Sequence, residues 1–328
     1  MAPRRALRTL AALLLCAAVS TGVMGQRAGA LRAIEGKVSQ WAIPTPQMPR
    51  DPAVDAEGRI HFALAGADRI VRFDPASARF REWAVTPGSR PHAVTFGPNG
   101  HVFYAGNGDG TIGELDLATG VVRRHSVGGP SSLPYSLAID ARGRIWGALR
   151  EGRVVRLDPA TGAVDSYPMG GNPYGLAFDA NGVLWVTRID ADTVTSIDPQ
   201  TGRTRDLFLG TGSKPRRIAL APDGHLWISL YGAGKLAEVD PAAHALVRQF
   251  AAPAGPNSGP YTVLVDAAGR VWLAEYQADS IAILDPAKAR FQSISLPEKG
   301  TGVRSAAFDA QGRYWYIGTA SGKIGVIE

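Results

Sequence analysis

YGLAFDANGVLW (174–185) is an apolar run, a glycine turn, and a second apolar run ending in tryptophan. The same unit recurs as DPAVDAEGRIHF (51–62), HAVTFGPNGHVF (92–103), YSLAIDARGRIW (135–146), RRIALAPDGHLW (216–227), YTVLVDAAGRVW (261–272) and RSAAFDAQGRYW (304–315). The turn glycines, Gly58, Gly100, Gly143, Gly182, Gly224, Gly269 and Gly312, are spaced by 42, 43, 39, 42, 45 and 43 residues. A period near 42 is that of a four-stranded propeller blade.

The remainder of each repeat supplies two more strands. The third reads IVRFDP (70–75), VVRLDPATG (154–162) or VTSIDPQTG (194–202), and the fourth FREWAV (80–85), AVDSYPM (163–169) or TRDLFL (204–209). In the DPATG-type endings Asp caps its own backbone, Pro fixes φ and Gly takes positive φ. The seventh repeat stops at its third strand, IGVIE (324–328). KVSQWAIP (37–44) resembles FREWAV, so the N-terminal strand is expected to complete the last blade and close the ring. The sequence thus predicts an all-β, seven-bladed propeller over residues 31–328. No 3.6-residue periodicity survives the Gly and Pro spacing to support a helical alternative.

Residues 1–30 read as an export signal peptide: Arg4, Arg5 and Arg8, an apolar run (10–25), and small residues ending at Ala30. The arginine pair also suggests a twin-arginine leader and Cys16 a lipoprotein, although Leu15 is bulky for the latter. Without this segment the chain holds 31 basic and 29 acidic residues, so the apparent basicity belongs largely to the leader. No basic run remains, which argues against nucleic acid and membrane surfaces as partners. The one cysteine leaves with the leader, and with it any disulfide, thiol nucleophile or cysteine metal site. A periplasmic or secreted monomer is expected, with a small molecule or peptide at the channel mouth.

Trp146, Trp185, Trp227, Trp272 and Trp315 sit three residues after the turn glycine, with Phe103 and His61 at the same place in the other repeats. Packing between blades explains them better than ligand stacking, and His61 is read as structural on that ground. His101 and His225 directly follow turn glycines and are placed on the solvated rim.

Each innermost strand starts after a loop, usually at a proline. The next position holds Arg50, His92, Tyr135, Tyr174, Arg216, Tyr261 and Arg304. Three arginines, three tyrosines and a histidine, with no aliphatic, predict a ligand-binding mouth suited to an anionic or carbonyl-rich, partly aromatic molecule. A second ring, three residues past the tryptophan position, contributes Arg188 and Glu275 as its charged members. No nucleophile elbow and no GxGxxG-to-helix unit is present.

PYGLAFDANGVLWVT (173–187), RPHAVTFGPNGHVF (90–103) and the I-G-x-[LI]-D strand resemble the virginiamycin B lyases (streptogramin lyases), over about residues 37–328. The resemblance implies a seven-bladed propeller that opens a cyclic depsipeptide at its ester by elimination, with Mg²⁺. It also implies two histidines in P-H motifs on adjacent blades, with glutamates nearby. This chain has one P-H motif, Pro91-His92; Arg50 and Tyr135 flank it where a second histidine is expected. Only WLAE (272–275) matches the glutamate motif, and Glu275 is three blades from His92 by the shorter way round the ring. His92 is therefore the candidate base or a polar contact of the mouth, and Glu275 a weak second candidate. Three readings stay open: a metal-assisted C–O lyase, a non-catalytic binding propeller, and a lactone hydrolase of the gluconolactonase kind. The last usually has six blades and a Glu/Asn/Asp cluster around Ca²⁺, which the inner ring lacks.

Overall fold

A computed structural model describes residues 29–33 and 37–328. Seven antiparallel sheets are arranged in a ring. The innermost strands are Pro49–Val54, Pro91–Phe96, Pro134–Ile139, Pro173–Phe178, Pro215–Leu220, Pro260–Val265 and Val303–Phe308. Each packs against the next, and the last returns to the first. Two short 3₁₀ turns, Pro130–Ser132 and Ile189–Ala191, are the only helical elements among the described residues. None of the described helices is long and apolar enough to cross a membrane.

Closure is as the sequence requires. Val38–Ala42 pairs antiparallel with Lys323–Ile327 and supplies the outer strand of the seventh blade. Gly29–Ala33 adds a feature the repeat pattern does not contain: it runs parallel to Arg290–Ser295 as a fifth strand on blade six. The expected leader boundary after Ala30 falls within this strand; leader residues 1–28 lie outside the described residues.

The core is a series of wedges between neighbouring blades. Trp146 and Val154 of blade three meet Leu184, Val186 and Ile197 of blade four. The closing seam joins Trp315, Ile324 and Val326 of blade seven to Phe62, Val71 and Phe73 of blade one. The tryptophans at the repeated position are buried in these wedges, as packing residues should be.

Their polar ends are anchored to the glycine turn. The indole N–H groups of Trp146, Trp185 and Trp272 donate to Asp140, Asp179 and Asp266 at 2.9 Å, and that of Trp315 to Asp309 at 2.8 Å. His61 takes the same bond, its Nε2 lying 2.9 Å from Asp55, so the histidine is structural. Burial disfavours charge on Asp309, but Trp315 and the Arg313 backbone and guanidinium outweigh it and hold the carboxyl below its ordinary range. Blades two and five have Gly97 and Ala221 where this aspartate would stand. There the residues after the turn glycine, His101 and His225, reach across the hairpin to Glu114 (2.7 Å) and Glu238 (2.6 Å). Both rings are therefore tied down and only partly exposed, not free on the rim.

Two hairpins are set by glycine because an aromatic ring lies over the backbone. A Cβ on Gly325 would meet the Tyr316 ring at 2.2 Å, and one on Gly113 the Tyr104 ring at 2.0 Å. Tyr316 is fully buried and its hydroxyl accepts from Gln40 Nε2 at 2.8 Å, so it has little room to retreat. Gly325→Ala is expected to cost about 1–3 kcal/mol through overpacking of the closing blade. Thermal melts of the variant, alone and with Tyr316→Leu to free the space, check this: recovery in the double variant is the expected outcome, and an unshifted single variant contradicts it.

Candidate functional site

The mouth of the channel is built by a local irregularity repeated in every blade. Each innermost strand carries one extra residue near its start, as between Pro173 and Leu176 opposite Arg188 and Val186. Such a bulge breaks the alternation of a strand, so two successive side chains per blade reach the channel. The residue before each bulged strand start is left-handed: Met48, Arg90, Leu133, Asn172, Lys214, Gly259 and Gly302 all have φ between 44° and 67°. Five of the seven are not glycine, a strained choice for L-residues.

Carboxylates hold these strained loops in place. Asp68 accepts from the backbone N–H groups of Gly88 and Arg90, both at 2.7 Å, ahead of His92. Asp192 accepts from Gly212 (2.7 Å) and Lys214 (2.8 Å), ahead of Arg216. Asp279 accepts from Gly300 (2.7 Å) and Thr301 (2.8 Å), ahead of Arg304. Each aspartate sits in the turn between the second and third strands of one blade and fixes the loop that leads into the next.

The mouth encloses a cavity of about 290 Å³ bordered by Tyr135, Tyr174, Arg216, Tyr261 and Arg304. Arg216 lies among three rings, its guanidinium carbon 5.0 Å from the centre of Tyr231, 5.3 Å from Tyr174 and 5.4 Å from Tyr261. Arg304 stacks on Tyr276 at 5.0 Å and Tyr261 at 5.7 Å, and its Nη2 donates to the Tyr276 hydroxyl at 3.2 Å. The Nε atoms of Arg216 and Arg304 are buried and have no protein partner among the described residues. Arg150 and Lys214 add positive charge to the lining, against one exposed carboxylate, Asp190.

Below the mouth the channel is blocked. The hydroxyls of Tyr174 and Tyr261 meet at 2.7 Å. Arg217 crosses the axis to a charge-assisted bond with Asp51 and donates to Ser136 Oγ at 3.0 Å. Burial opposes the charge on Arg217, but Asp51 outweighs it and raises the guanidinium's affinity for its proton. Burial and the neighbouring Tyr261 push the Tyr174 phenol well up, so it stays neutral. Beneath this plug lies a separate cavity of about 140 Å³ bordered by Ser136, Arg217, Thr262 and Ser305.

His92 is buried at the channel wall, 4.6 Å centre to centre from the Tyr135 ring. Its Nδ1 is 3.9 Å from Asp51, too long for a hydrogen bond. Burial pushes its pKa down to about 4; Asp51 opposes this, and Arg50, Arg217 and Arg304 add to it. The imidazole is therefore neutral at pH 7. Arg50 is half-buried, with Nε and Nη1 lacking a protein partner among the described residues.

Arg188 and Glu275, expected in a second tier of the mouth, turn away from the cavity. Arg188 donates to Asp206 at 2.8 Å and Thr195 at 3.3 Å on the outer strands. The buried Glu275 accepts from the Ala254 backbone and the Ser280 hydroxyl, both at 2.9 Å. Side chains alternate along a strand, and the residue one further on faces the mouth instead: Arg150, Ile189, Tyr231 and Tyr276 all border the cavity. The signal for them in the sequence is that pair of tyrosines, one position past the ring that holds Arg188 and Glu275. Arg217, the partner of Asp51, was also missed. Its signal lies in the second channel residue of each blade, where Asp51 and Arg217 stand out against Ala93, Ser136, Gly175, Thr262 and Ser305.

The sequence model of the virginiamycin B lyase family matches residues 21–157 and 159–328. The chain belongs to this family. Among solved structures, the virginiamycin B lyase from Staphylococcus aureus superposes with a TM-score of 0.82 at 20% identity, covering 89% of this chain and 99% of that one. A streptogramin B lyase gives 0.82 at 22% identity, with 89% and 97% covered. A catalytically inactive variant of the S. aureus virginiamycin B lyase with quinupristin gives 0.82 at 20%, covering 89% and 99%. At these identities the likeness is one of fold. No curated protein matches the chain. Within the virginiamycin B lyase family, then, this member carries an arginine–tyrosine mouth with a single histidine in its channel ring.

Proposed function

We propose that this virginiamycin B lyase family member is an exported binding propeller whose mouth takes an anionic ligand with an aromatic or apolar part. The observation that carries this reading is the lining: Arg150, Lys214, Arg216 and Arg304 face one cavity with five tyrosines and a lone exposed carboxylate. Arginine forks match carboxylate and phosphate oxygens, and tyrosine faces suit a flat or apolar group. The leader points to a periplasmic or secreted location.

The Mg²⁺ that the family resemblance implies does not fit these residues. Mg²⁺ takes oxygen ligands in octahedral geometry, usually with one or two carboxylates. Asp51 is engaged by Arg217, Glu275 faces away, and Asp190 stands alone among cations. The same shortage of carboxylates counts against a Ca²⁺-dependent lactone hydrolase. A lyase reading retains one observation, the neutral imidazole of His92 in the channel, which has the protonation state of a base.

Ester opening of quinupristin by the mature chain, with and without Mg²⁺, separates the readings. The expected result is no turnover above buffer in either condition, together with anion binding that Arg216→Ala weakens. Metal-dependent opening that disappears in His92→Ala would establish the lyase and overturn the proposal.

A further inference from the structure

The charges of the channel do not balance among themselves. Arg50, Arg216, Arg217 and Arg304 line it or adjoin it, and the buried carboxylate among them is Asp51, which Arg217 engages. His92 is neutral and adds nothing. Half-buried guanidinium groups without a counter-charge are costly; three of the four have no carboxylate partner among the described residues, and a doubly charged ligand offsets that cost better than a singly charged one. Arg216 and Arg304 are the pair placed to share it. Both stack on the Tyr261 ring, at 5.4 and 5.7 Å, and both border the same cavity.

Each also presents a buried Nε with no protein partner among the described residues. An Nε and its neighbouring Nη form a fork for two oxygens of one group. A carboxylate has two oxygens in one plane, and a single fork already takes one lone pair of each. A phosphoryl group has three terminal oxygens in a tetrahedral array and can accept from two forks at once. The tyrosine faces hold both guanidiniums in place before any ligand arrives, which lowers the ordering cost of binding. The cavity, about 290 Å³, exceeds the needs of a phosphoryl group and leaves room for an organic part. That part would meet Tyr135, and the buried Asn172 Oδ1, without a protein partner among the described residues, borders the same cavity.

We propose that the mouth binds a phosphomonoester, its phosphoryl group bridging Arg216 and Arg304 and its ester group lying toward Tyr135. The proposal rests on reading the mouth as an anion site and adds the class of anion.

Calorimetric titration of the mature chain at pH 7.5, where a monoester carries close to two charges, tests it with phenyl phosphate, benzoate and succinate. Phenyl phosphate is expected to bind at least roughly tenfold more tightly than either carboxylate, and Arg216→Gln and Arg304→Gln each to weaken it by about tenfold or more. Arg216→Lys and Arg304→Lys, which keep the charge and remove the fork, are expected to weaken it as well; thermal melts of all four variants confirm that they fold. Benzoate or succinate binding as tightly as phenyl phosphate overturns the phosphomonoester while leaving the anion mouth standing. Absence of binding by all three probes, or wild-type affinity in both glutamine variants, overturns the mouth reading itself.

Discussion

Arg217→Ala is expected to destabilise the protein by about 3–5 kcal/mol, because it strands a buried carboxylate rather than merely deleting a bond. Asp51 is 5% exposed and its charge is answered by Arg217. The same arginine reaches Ser136 and lies 5.0 Å from the centre of the Tyr174 ring, so it ties blades one, three, four and five together across the axis. Asp51→Ala should cost a similar amount by stranding the guanidinium. Arg217→Met combined with Asp51→Ala removes both charges, and the pair should cost less than either single change. Denaturant midpoints of the three variants measure this. Losses below about 1 kcal/mol in both single variants, as for a solvated surface pair, would mean that the bridge does not hold the channel.

His92 gives the second large effect, and its sign is fixed by burial. In the unfolded chain the imidazole takes its proton near the ordinary 6.5, whereas in the folded chain it does so only near 4. Between those values the unfolded state binds the extra proton, so stability falls as pH falls. The full contribution is present above about pH 6.5 and is lost by about pH 4, a change of about 3 kcal/mol. His92→Gln keeps a polar side chain that does not titrate, so between pH 7 and pH 4 it should lose about 3 kcal/mol less stability than the wild type, the rest of the loss coming from carboxylates such as Asp309. A wild-type protein equally stable at pH 4.5 and pH 7 would contradict a buried neutral His92.

The ring was legible because its signals are local and repeated. A glycine turn every 42 residues or so, an indole three residues on and a DPATG-type ending each dictate a strand boundary without reference to the rest of the chain. Five of the seven first-ring residues were readable as the cavity's border for the same reason, since a proline marks the position in six of the seven repeats; Arg50 and His92 do not border it. What escaped depends on strand irregularity. Strict alternation sends the side chain after Arg216 away from the channel, but the extra residue in each inner strand turns it back, and Arg217 and Asp51 meet. Tyr231 and Tyr276 escaped by the converse error: regular alternation holds there, so they face the cavity and Glu275 does not. The strand Gly29–Ala33 has no counterpart in the repeat, so periodicity gave no warning of it.

The seam between Val38–Ala42 and Lys323–Ile327 has a kinetic consequence. Gln40 bonds to a residue 276 positions later in the chain, so the circle completes only after nearly all of the polypeptide is available. Bringing such distant segments together is the slow, entropically costly step of assembly. Until then blade seven exposes an unsatisfied edge to the surroundings, and a second copy's N-terminal strand has the same register to offer. Refolding at high concentration should therefore favour exchanged dimers, whereas dilute conditions should favour self-capture.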